Sequence, residues 1–284
     1  MRLNARDLTI FDGARLREEF GAFVGPSPGA FSWQAERELH GPWYRQTLDQ
    51  LSLIVAHQWR RGIRRSALRG FFLHGPPGLG KTTLVKRASY ELCRLFEPEG
   101  PDGDAAPVQL VLIDGADLAR SRYGETEELL DALFDFVQPP GDARRSVLLF
   151  DDVESLFFQR GNSGVREWHF SQNSVFFHRV DELDTSRAVV MLTTNRADLV
   201  DAAVRDRFEE IAVPAPPRDV LLEVLRAKLR QQELPEDDAE RYLEQLEARG
   251  GDGFSVRAIE RLVMRQYIQS LTATLPHDQR LEAP

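Results

Sequence analysis

Nine residues, Gly75-Pro76-Pro77-Gly78-Leu79-Gly80-Lys81-Thr82-Thr83, constrain this 284-residue chain more than any other stretch. They spell Gly-x4-Gly-Lys-Thr, entered from the apolar run Phe71-Phe72-Leu73 and continued by Leu84-Val85-Lys86-Arg87-Ala88, which reads as the first turns of a helix. Strand, glycine-rich turn and helix in that order make a phosphate cradle. Glycines let backbone N–H groups curl around phosphate oxygens, and the helix N-terminus adds a partial positive charge. Lys81 is placed to reach the β- and γ-phosphates, and the Thr82 hydroxyl to ligate Mg²⁺. Lysine usage sharpens this reading. The chain holds 36 Lys plus Arg, yet only Lys81, Lys86 and Lys228 are lysine. One of those three stands where a compact point charge is wanted. The motif predicts a nucleotide site.

The hydrophobic content of 42% is enough to bury a core and hold one or two compact units. A net charge of −9 argues against bulk attraction to nucleic acid or an anionic membrane, leaving room for a local basic groove. Cys93 is the one cysteine, which points to a reducing, cytoplasmic setting rather than a disulfide framework. No apolar run reaches the length of a membrane span, and Met1 to Asp12 lacks the apolar core of a signal peptide.

Residues 1 to about 35 read as short elements or a mobile arm. From Glu36 to about Arg65 an apolar face of Leu39, Trp43, Leu48, Leu51, Ile54, Val55 and Trp59 predicts a helix. The arginines that follow (60, 61, 64, 65 and 69) are taken as a solvated face in preference to a partner site. Strands are expected at Gly70–Leu73, Val108–Ile113, Val147–Phe150, Ala188–Leu192 and, shorter, Glu210–Val213. Helices are expected at Thr82–Phe96, Thr126–Val137 and around Gln172–Leu183. That alternation predicts an α/β core whose parallel sheet is covered by helices on both faces. After Pro214-Ala215-Pro216-Pro217 the pattern turns helical, at Arg218–Gln231, Glu236–Arg249 and Ser255–Thr272, as a small lid.

The run Ser146-Val147-Leu148-Leu149-Phe150-Asp151-Asp152 is an apolar strand ending in two carboxylates. Alone, a turn or helix cap explains such an end equally well. Behind a phosphate loop, in a parallel sheet, it lies where ligands bind. Asp151 is then the Mg²⁺ ligand, and Asp152 the group that orients or deprotonates the attacking water. Asn195, ending the strand Ala188-Val189-Val190-Met191-Leu192-Thr193-Thr194, is placed to touch the γ-phosphate or its water, or else to cap the next helix. Arg205 and Arg207 suit either a surface salt-bridge patch or arginines projected into a neighbouring subunit's site. Ser255 suits an N-cap, and Arg257 just after it is either a helix-surface arginine or a sensor of the nucleotide.

Phosphate loop, Asp-Asp strand, Thr-Thr-Asn, Arg-x-Arg-Phe and Gly-Phe-Ser-x-Arg, in this order, resemble the AAA+ ATPases over about residues 66 to 275. The resemblance implies a P-loop NTPase core with a five-stranded parallel sheet and a helical lid, ATP and Mg²⁺ as ligands, and a homo-oligomeric ring, usually hexameric. It makes Gly75, Pro76, Pro77, Gly78, Leu79, Gly80, Lys81, Thr82 and Thr83 nucleotide-binding. Asn195 becomes a first sensor, Arg257 a second, and Arg205 and Arg207 trans-acting candidates, with Arg207 preferred. Asp117 to Glu127 looks like the first pore loop of protein-remodelling members, with Tyr123 as the gripping aromatic. Here Gly124 follows Tyr123 directly, where the family normally inserts a hydrophobic residue; a core tyrosine is the alternative. Arg160-Gly161-Asn162-Ser163-Gly164 lies where a second pore loop would. A narrower resemblance joins Leu73-His74-Gly75-Pro76-Pro77-Gly78, Phe150-Asp151-Asp152-Val153-Glu154-Ser155-Leu156 and Asp206-Arg207 to the branch that remodels HORMA-domain proteins, including bacterial relatives found with nucleotide-second-messenger defence systems.

One departure bears on chemistry. Most of the family carries glutamate where this chain has Asp152, and losing one methylene retracts the carboxylate by roughly a C–C bond length, with misplacement near ~1 Å costing about a hundredfold in rate. Three explanations compete: a compensating backbone shift, Glu154 reaching in, or slow turnover. Glu154, two residues further on, is expected to point away. The resulting expectation is an ATP-driven ring that remodels a protein partner. A nucleotide-gated assembly protein and a nucleic-acid loader are the competing readings. The domain layout is an N-terminal segment 1–65 for substrate or adaptor recognition, a nucleotide-binding core 66–215, a lid 216–275 and a tail 276–284.

Overall fold

The computed structural model describes residues 9–20, 45–64, 67–96, 108–115, 118, 125–139, 141, 144–157, 167–248 and 255–274. They divide into two units, one holding the sheet with residues up to Gly75 and from Lys81 to Val213, the other holding loop residues 76–80 and the chain after Val213.

The first unit is built on β1 (Thr9–Phe11), β2 (Gly70–His74), β3 (Val108–Asp114), β4 (Arg145–Asp151), β5 (Ala188–Thr194) and β6 (Glu209–Ala212), in the order β1-β3-β4-β5-β2-β6. The five strands from β3 to β6 across the sheet run parallel, as the sequence predicts. A sixth strand departs from that expectation. The segment Thr9–Phe11, within the stretch expected to form short elements or a mobile arm, pairs antiparallel with Leu110–Leu112 on the β3 edge. Three residues are too few to show alternation, so pairing with β3 decides this strand. Phe11 is buried there, with the Arg15 guanidinium 4.2 Å and the Lys86 ammonium 4.5 Å from its ring centre.

Strand β5 is buried along its whole length, and β2 and β4 almost so, which is why they read as continuous apolar runs. Helices α1 (Gly13–Phe20), α2 (Arg45–Arg61), α3 (Lys81–Leu95), α4 (Glu125–Val137), α5 (Glu167–Asp181) and the short α6 (Ala202–Arg205) belong to this unit. In α3 the buried Leu84, Val85, Ala88, Leu92 and Cys93 form the helical stripe that packs inward. In α2 the predicted face holds for Leu48, Leu51, Val55 and Trp59, whereas Ile54 is 38% exposed and falls outside it. Arg60, Arg61 and Arg64 are exposed, in line with a solvated face, and within it Arg60 donates to the Leu95 carbonyl, Arg64 pairs with Asp184 and the partly exposed Arg69 with Asp181; Arg65 lies outside the described residues.

One aromatic ring organises the packing behind the carboxylate-bearing strand. Phe176 on α5 contacts Phe150, Phe157 and Phe208 at ring-centre distances of 5.3, 4.5 and 6.2 Å. Each fully buried ring contributes roughly 1.5–3 kcal/mol. Phe150 immediately precedes Asp151, and Phe157 closes the 3₁₀ turn Val153–Ser155 that follows it. The cluster therefore anchors the chain on both sides of the two aspartates.

Gly70 supplies a direct test of the sheet. A Cβ there would fall 1.8 Å from the Val190 carbonyl oxygen and 3.0 Å from Phe208 Cδ1. Gly70→Ala is expected to lower the thermal midpoint by roughly 3–10 °C, the effect of about 1–3 kcal/mol of overpacking. An unchanged midpoint would contradict this register of β2 on β5.

The second unit contains α7 (Arg218–Gln231), α8 (Ala239–Ala248) and α9 (Val256–Thr274). Leu221, Val224, Leu225, Leu229, Leu243, Leu246, Ile259 and Leu262 are among its buried apolar positions. Ser255 caps α9 as expected, accepting from the Ala258 N–H at 3.2 Å.

Candidate nucleotide site

Strand order brings the motifs together. β5 lies between β4 and β2, and their carboxyl ends carry Asp151, Asn195 and the phosphate loop side by side, with His74 in register with Thr194. Sequence separation is large, but the spatial neighbours are immediate.

Lys81 opens α3 and is 6% exposed. Its Nζ donates to the Gly75 carbonyl at 2.8 Å and to Asn195 Oδ1 at 2.7 Å. The Thr82 hydroxyl stands 2.9 Å from each oxygen of Asp151. The buried Thr193 hydroxyl donates to the same carboxylate and accepts from the Asp152 N–H at 3.2 Å. Asn195 Nδ2 in turn donates to Asp152 Oδ1 at 2.8 Å. One amide thus spans the phosphate-loop lysine and the second aspartate, so five predicted residues, Lys81, Thr82, Asp151, Asp152 and Asn195, meet in one hydrogen-bonded group.

Asp152 takes φ 51°, ψ 53°, a left-handed conformation that Asp tolerates better than most residues. This bend turns the chain out of β4 into the 3₁₀ turn. Burial first, then the charges of Asp151 and Glu154, push the Asp152 carboxyl above the ordinary carboxylate range; the Lys81 ammonium pulls it back, and Asp114 adds to the rise. A raised carboxyl is a better proton acceptor once ionised.

Glu154 corrects a sequence expectation. It does not point away: Oε2 accepts from the Thr194 hydroxyl at 2.7 Å and Oε1 from the Asn195 N–H at 3.4 Å. The left-handed Asp152 and the tight 3₁₀ turn Val153–Ser155 take the chain out of β4 and bring residue 154 to the end of β5. Thr193 and Thr194 stand in the Thr-Thr-Asn motif without an assigned role, and their hydroxyls prove to be participants.

The donor set suits magnesium. One carboxylate and one hydroxyl, completed by water and phosphate oxygens, is the usual protein share for this ion. Among the described residues no group of three or more His, Cys, Asp or Glu forms a self-sufficient metal cage. The loop backbone is equally specific: Gly78 and Gly80 have φ of +77° and +76°. Leu79 is buried, and Thr83 follows Thr82 in the first turn of α3. Within the second unit a Cβ on Gly78 would come 2.9 Å from Ser255 Oγ and 3.2 Å from Arg257 Cβ, so only glycine fits and the exposed Arg257 starts α9 beside the loop.

Arg205 and Arg207 are engaged elsewhere in the first unit. Arg205 makes a bidentate pair with Glu210, at 2.8 Å, and Glu210 also lies 3.1 Å from His74. Arg207 donates to the Ala203 carbonyl at 3.0 Å, sits 3.5 Å from Asp181 and stacks 4.5 Å from the Phe177 ring centre. Tyr123 and residues 160–164 lie outside the described residues.

Residues 71–214 match the model of the ATPase family associated with various cellular activities, AAA. The chain belongs to the AAA ATPase family. A relative described as an AAA ATPase forming ring-shaped complexes, from Corynebacterium efficiens, is 30% identical over 159 residues, which is 55% of this chain and 29% of the relative. Spastin of Anopheles gambiae is 29% identical over 235 residues, covering 80% of this chain and 26% of spastin. This AAA protein therefore spans less than a third of the length of these relatives. Its fold is similar to a chain of the HORMA:CdnC:Trip13 complex of E. coli, with a TM-score of 0.68, 20% identity and coverage of 98% and 93%. It is also similar to the FIGL-1 AAA domain solved with ADP, at TM-score 0.63 and 20% identity, covering 86% and 75%. No helix among the described residues of this AAA protein is long and apolar enough to cross a membrane.

Proposed function

We propose that this chain is an ATP-hydrolysing AAA protein that works as a homo-oligomeric ring and remodels a protein partner. The observation that carries the reading is the Asn195 amide linking Lys81 to Asp152 beside the Thr82–Asp151 pair. Lys81 and the loop N–H groups of Gly75, Gly78, Leu79 and Gly80 hold the phosphates, and Thr82 with Asp151 would hold Mg²⁺. Bound there, the ion neutralises phosphate charge and orients the terminal phosphoryl group. Asp152 orients the attacking water and takes its proton; Asn195 keeps the Asp152 carboxylate turned toward the phosphate-loop lysine. Arg257 reads the nucleotide from the start of α9. Tyr123 grips polypeptide, and residues 1–65 recognise substrate or adaptor.

The ATPase part of the proposal is supported by the family, and the ring by the ring-forming description of a relative. An acidic net charge of −9 disfavours a nucleic-acid substrate. A second reading, in which ATP binding gates assembly and hydrolysis is secondary, is favoured by the short side chain of Asp152. Phosphate release by the purified chain with Mg²⁺ and ATP separates the two. Release that depends on Asp152, together with an ATP-dependent change in the protease sensitivity of a protein co-purifying with the Asp152→Asn form, supports remodelling. ATP binding and ring formation without release would replace it with the gating reading.

The ring makes its own prediction. Arg207 packs into its own chain, whereas the Arg205 guanidinium is more exposed (42% against 32%) and held only by side-chain pairing in the described contacts, which makes Arg205 the better placed to swing out toward a neighbour. Mixing Arg205→Ala subunits with Lys81→Ala subunits should restore hydrolysis that neither has alone, because one interface type then has both a lysine and a trans arginine. The same mixture with Arg207→Ala tests the other arginine. Recovery with Arg207→Ala but not with Arg205→Ala would return the role to Arg207.

A further inference from the structure

Glu154, inside the run Phe150–Leu156 but without an assigned role, is tied to the residues that carry the site. Its carboxylate accepts from the Thr194 hydroxyl at 2.7 Å, and that fully buried hydroxyl accepts from the Arg196 N–H at 2.9 Å. A hydroxyl used both as donor and as acceptor has its orientation set. The other Glu154 oxygen faces the Asn195 N–H at 3.4 Å. The backbone leaving β5 is therefore held on both sides of residue 195. From that backbone the Asn195 side chain accepts from Lys81 and donates to Asp152, at 2.7 and 2.8 Å. Turning the amide over would aim its NH₂ at an ammonium and its oxygen at a carboxylate, so a small rotation of the strand end loses both bonds rather than exchanging them.

We infer that Glu154 is a positioning residue, which holds the end of β5 through the Thr194 hydroxyl and the Asn195 N–H so that the Asn195 amide spans Lys81 and Asp152. This inference rests on the ATPase reading above. Glu154 is distinct from the proton acceptor in that reading: its oxygens are turned to Thr194 and the Asn195 backbone, whereas Asp152 receives the Asn195 side chain. It also explains why an acid is kept beside two aspartates in spite of like-charge repulsion, since a neutral side chain of the same size offers one acceptor oxygen where two donors wait.

The test uses two near-isosteric variants of the full chain, Glu154→Gln and Thr194→Val. Each is expected to lower kcat about 10- to 100-fold, the cost of an ångström-scale misplacement, with the KM for ATP changed less than about threefold. In an Asn195→Ala background either substitution should add less than about twofold, because the lost positioning has no amide left to act on. Independently of turnover, the Asn195 side-chain amide resonances of the nucleotide-free protein should shift in both variants while the thermal midpoint is retained. Full multiplicative loss in the double variants, or an unmoved Asn195 resonance, overturns the inference. Loss of hydrolysis in Glu154→Gln with full hydrolysis in Asp152→Asn would make Glu154 the proton acceptor and overturn it too. Absence of phosphate release from the unmodified protein defeats the ATPase reading instead, and leaves the resonance measurement to decide whether Glu154 sets Asn195.

Discussion

Lys81→Ala should weaken ATP binding by roughly 30-fold to several thousandfold, the effect of about 2–5 kcal/mol for truncating a buried, hydrogen-bonded charge. The Lys81 ammonium is almost fully desolvated and is oriented by the Gly75 carbonyl and the Asn195 oxygen, so it faces a phosphate without first giving up a full water shell. No lysine neighbours it in sequence to substitute: Lys86 stacks on Phe11, and Lys228 pairs with Glu260. Calorimetric titration with ATP and Mg²⁺ measures the effect. Affinity within threefold of the unmodified protein would remove Lys81 from the site. A secondary effect follows in sign: without the ammonium, the Asp152 carboxyl loses the attraction that opposes its rise and moves further up.

Asp152→Ala should cut kcat by about 10²- to 10⁴-fold, the usual contribution of a positioned acid–base group, while ATP affinity stays within a few-fold. Alanine also has to adopt φ 51°, which costs about 1–2 kcal/mol, so Asp152→Asn is the cleaner variant, since asparagine accepts the left-handed region. Asp152→Glu is the informative counterpart. Its added methylene advances the carboxylate by about a bond length, and a gain of up to ~100-fold is expected if the short side chain is what slows hydrolysis. Single-turnover phosphate release distinguishes chemistry from product release. Equal turnover in Asp152→Ala and the unmodified protein would show that another group activates the water. A Glu variant no faster than the unmodified chain would instead show that the strand end already places the aspartate correctly.

Much of this architecture is legible in the chain itself. The strand expected at Val108–Ile113 spans Val108–Asp114, and the helix expected at Arg218–Gln231 has those limits. Strands buried on both sides give unbroken apolar runs, and amphipathic helices give stripes, so local pattern suffices. β1 was illegible because its three residues become a strand only by pairing with β3. Ile54 was misplaced because the apolar face of α2 is broader in sequence than the surface it packs on. In the site, Lys81, Thr82 and Asp151 were legible from motif chemistry. Glu154 was not, because its direction depends on a left-handed residue and a 3₁₀ turn that no local propensity for Asp-Asp-Val-Glu-Ser specifies.

By itself the sequence determined the type and order of the elements, the glycines of the phosphate loop and the one lysine suited to it, since these depend on periodicity, backbone permissiveness and side-chain charge within short windows. Tertiary structure decided which distant groups share hydrogen bonds. Parallel pairing of β5 with both β4 and β2 sets residues 81, 151 and 195 at one sheet edge, and the ring cluster around Phe176 holds that edge in register. The Asn195 amide can bridge Lys81 and Asp152 only because the strand ends are fixed to within a hydrogen-bond length, and long-range packing supplies that precision.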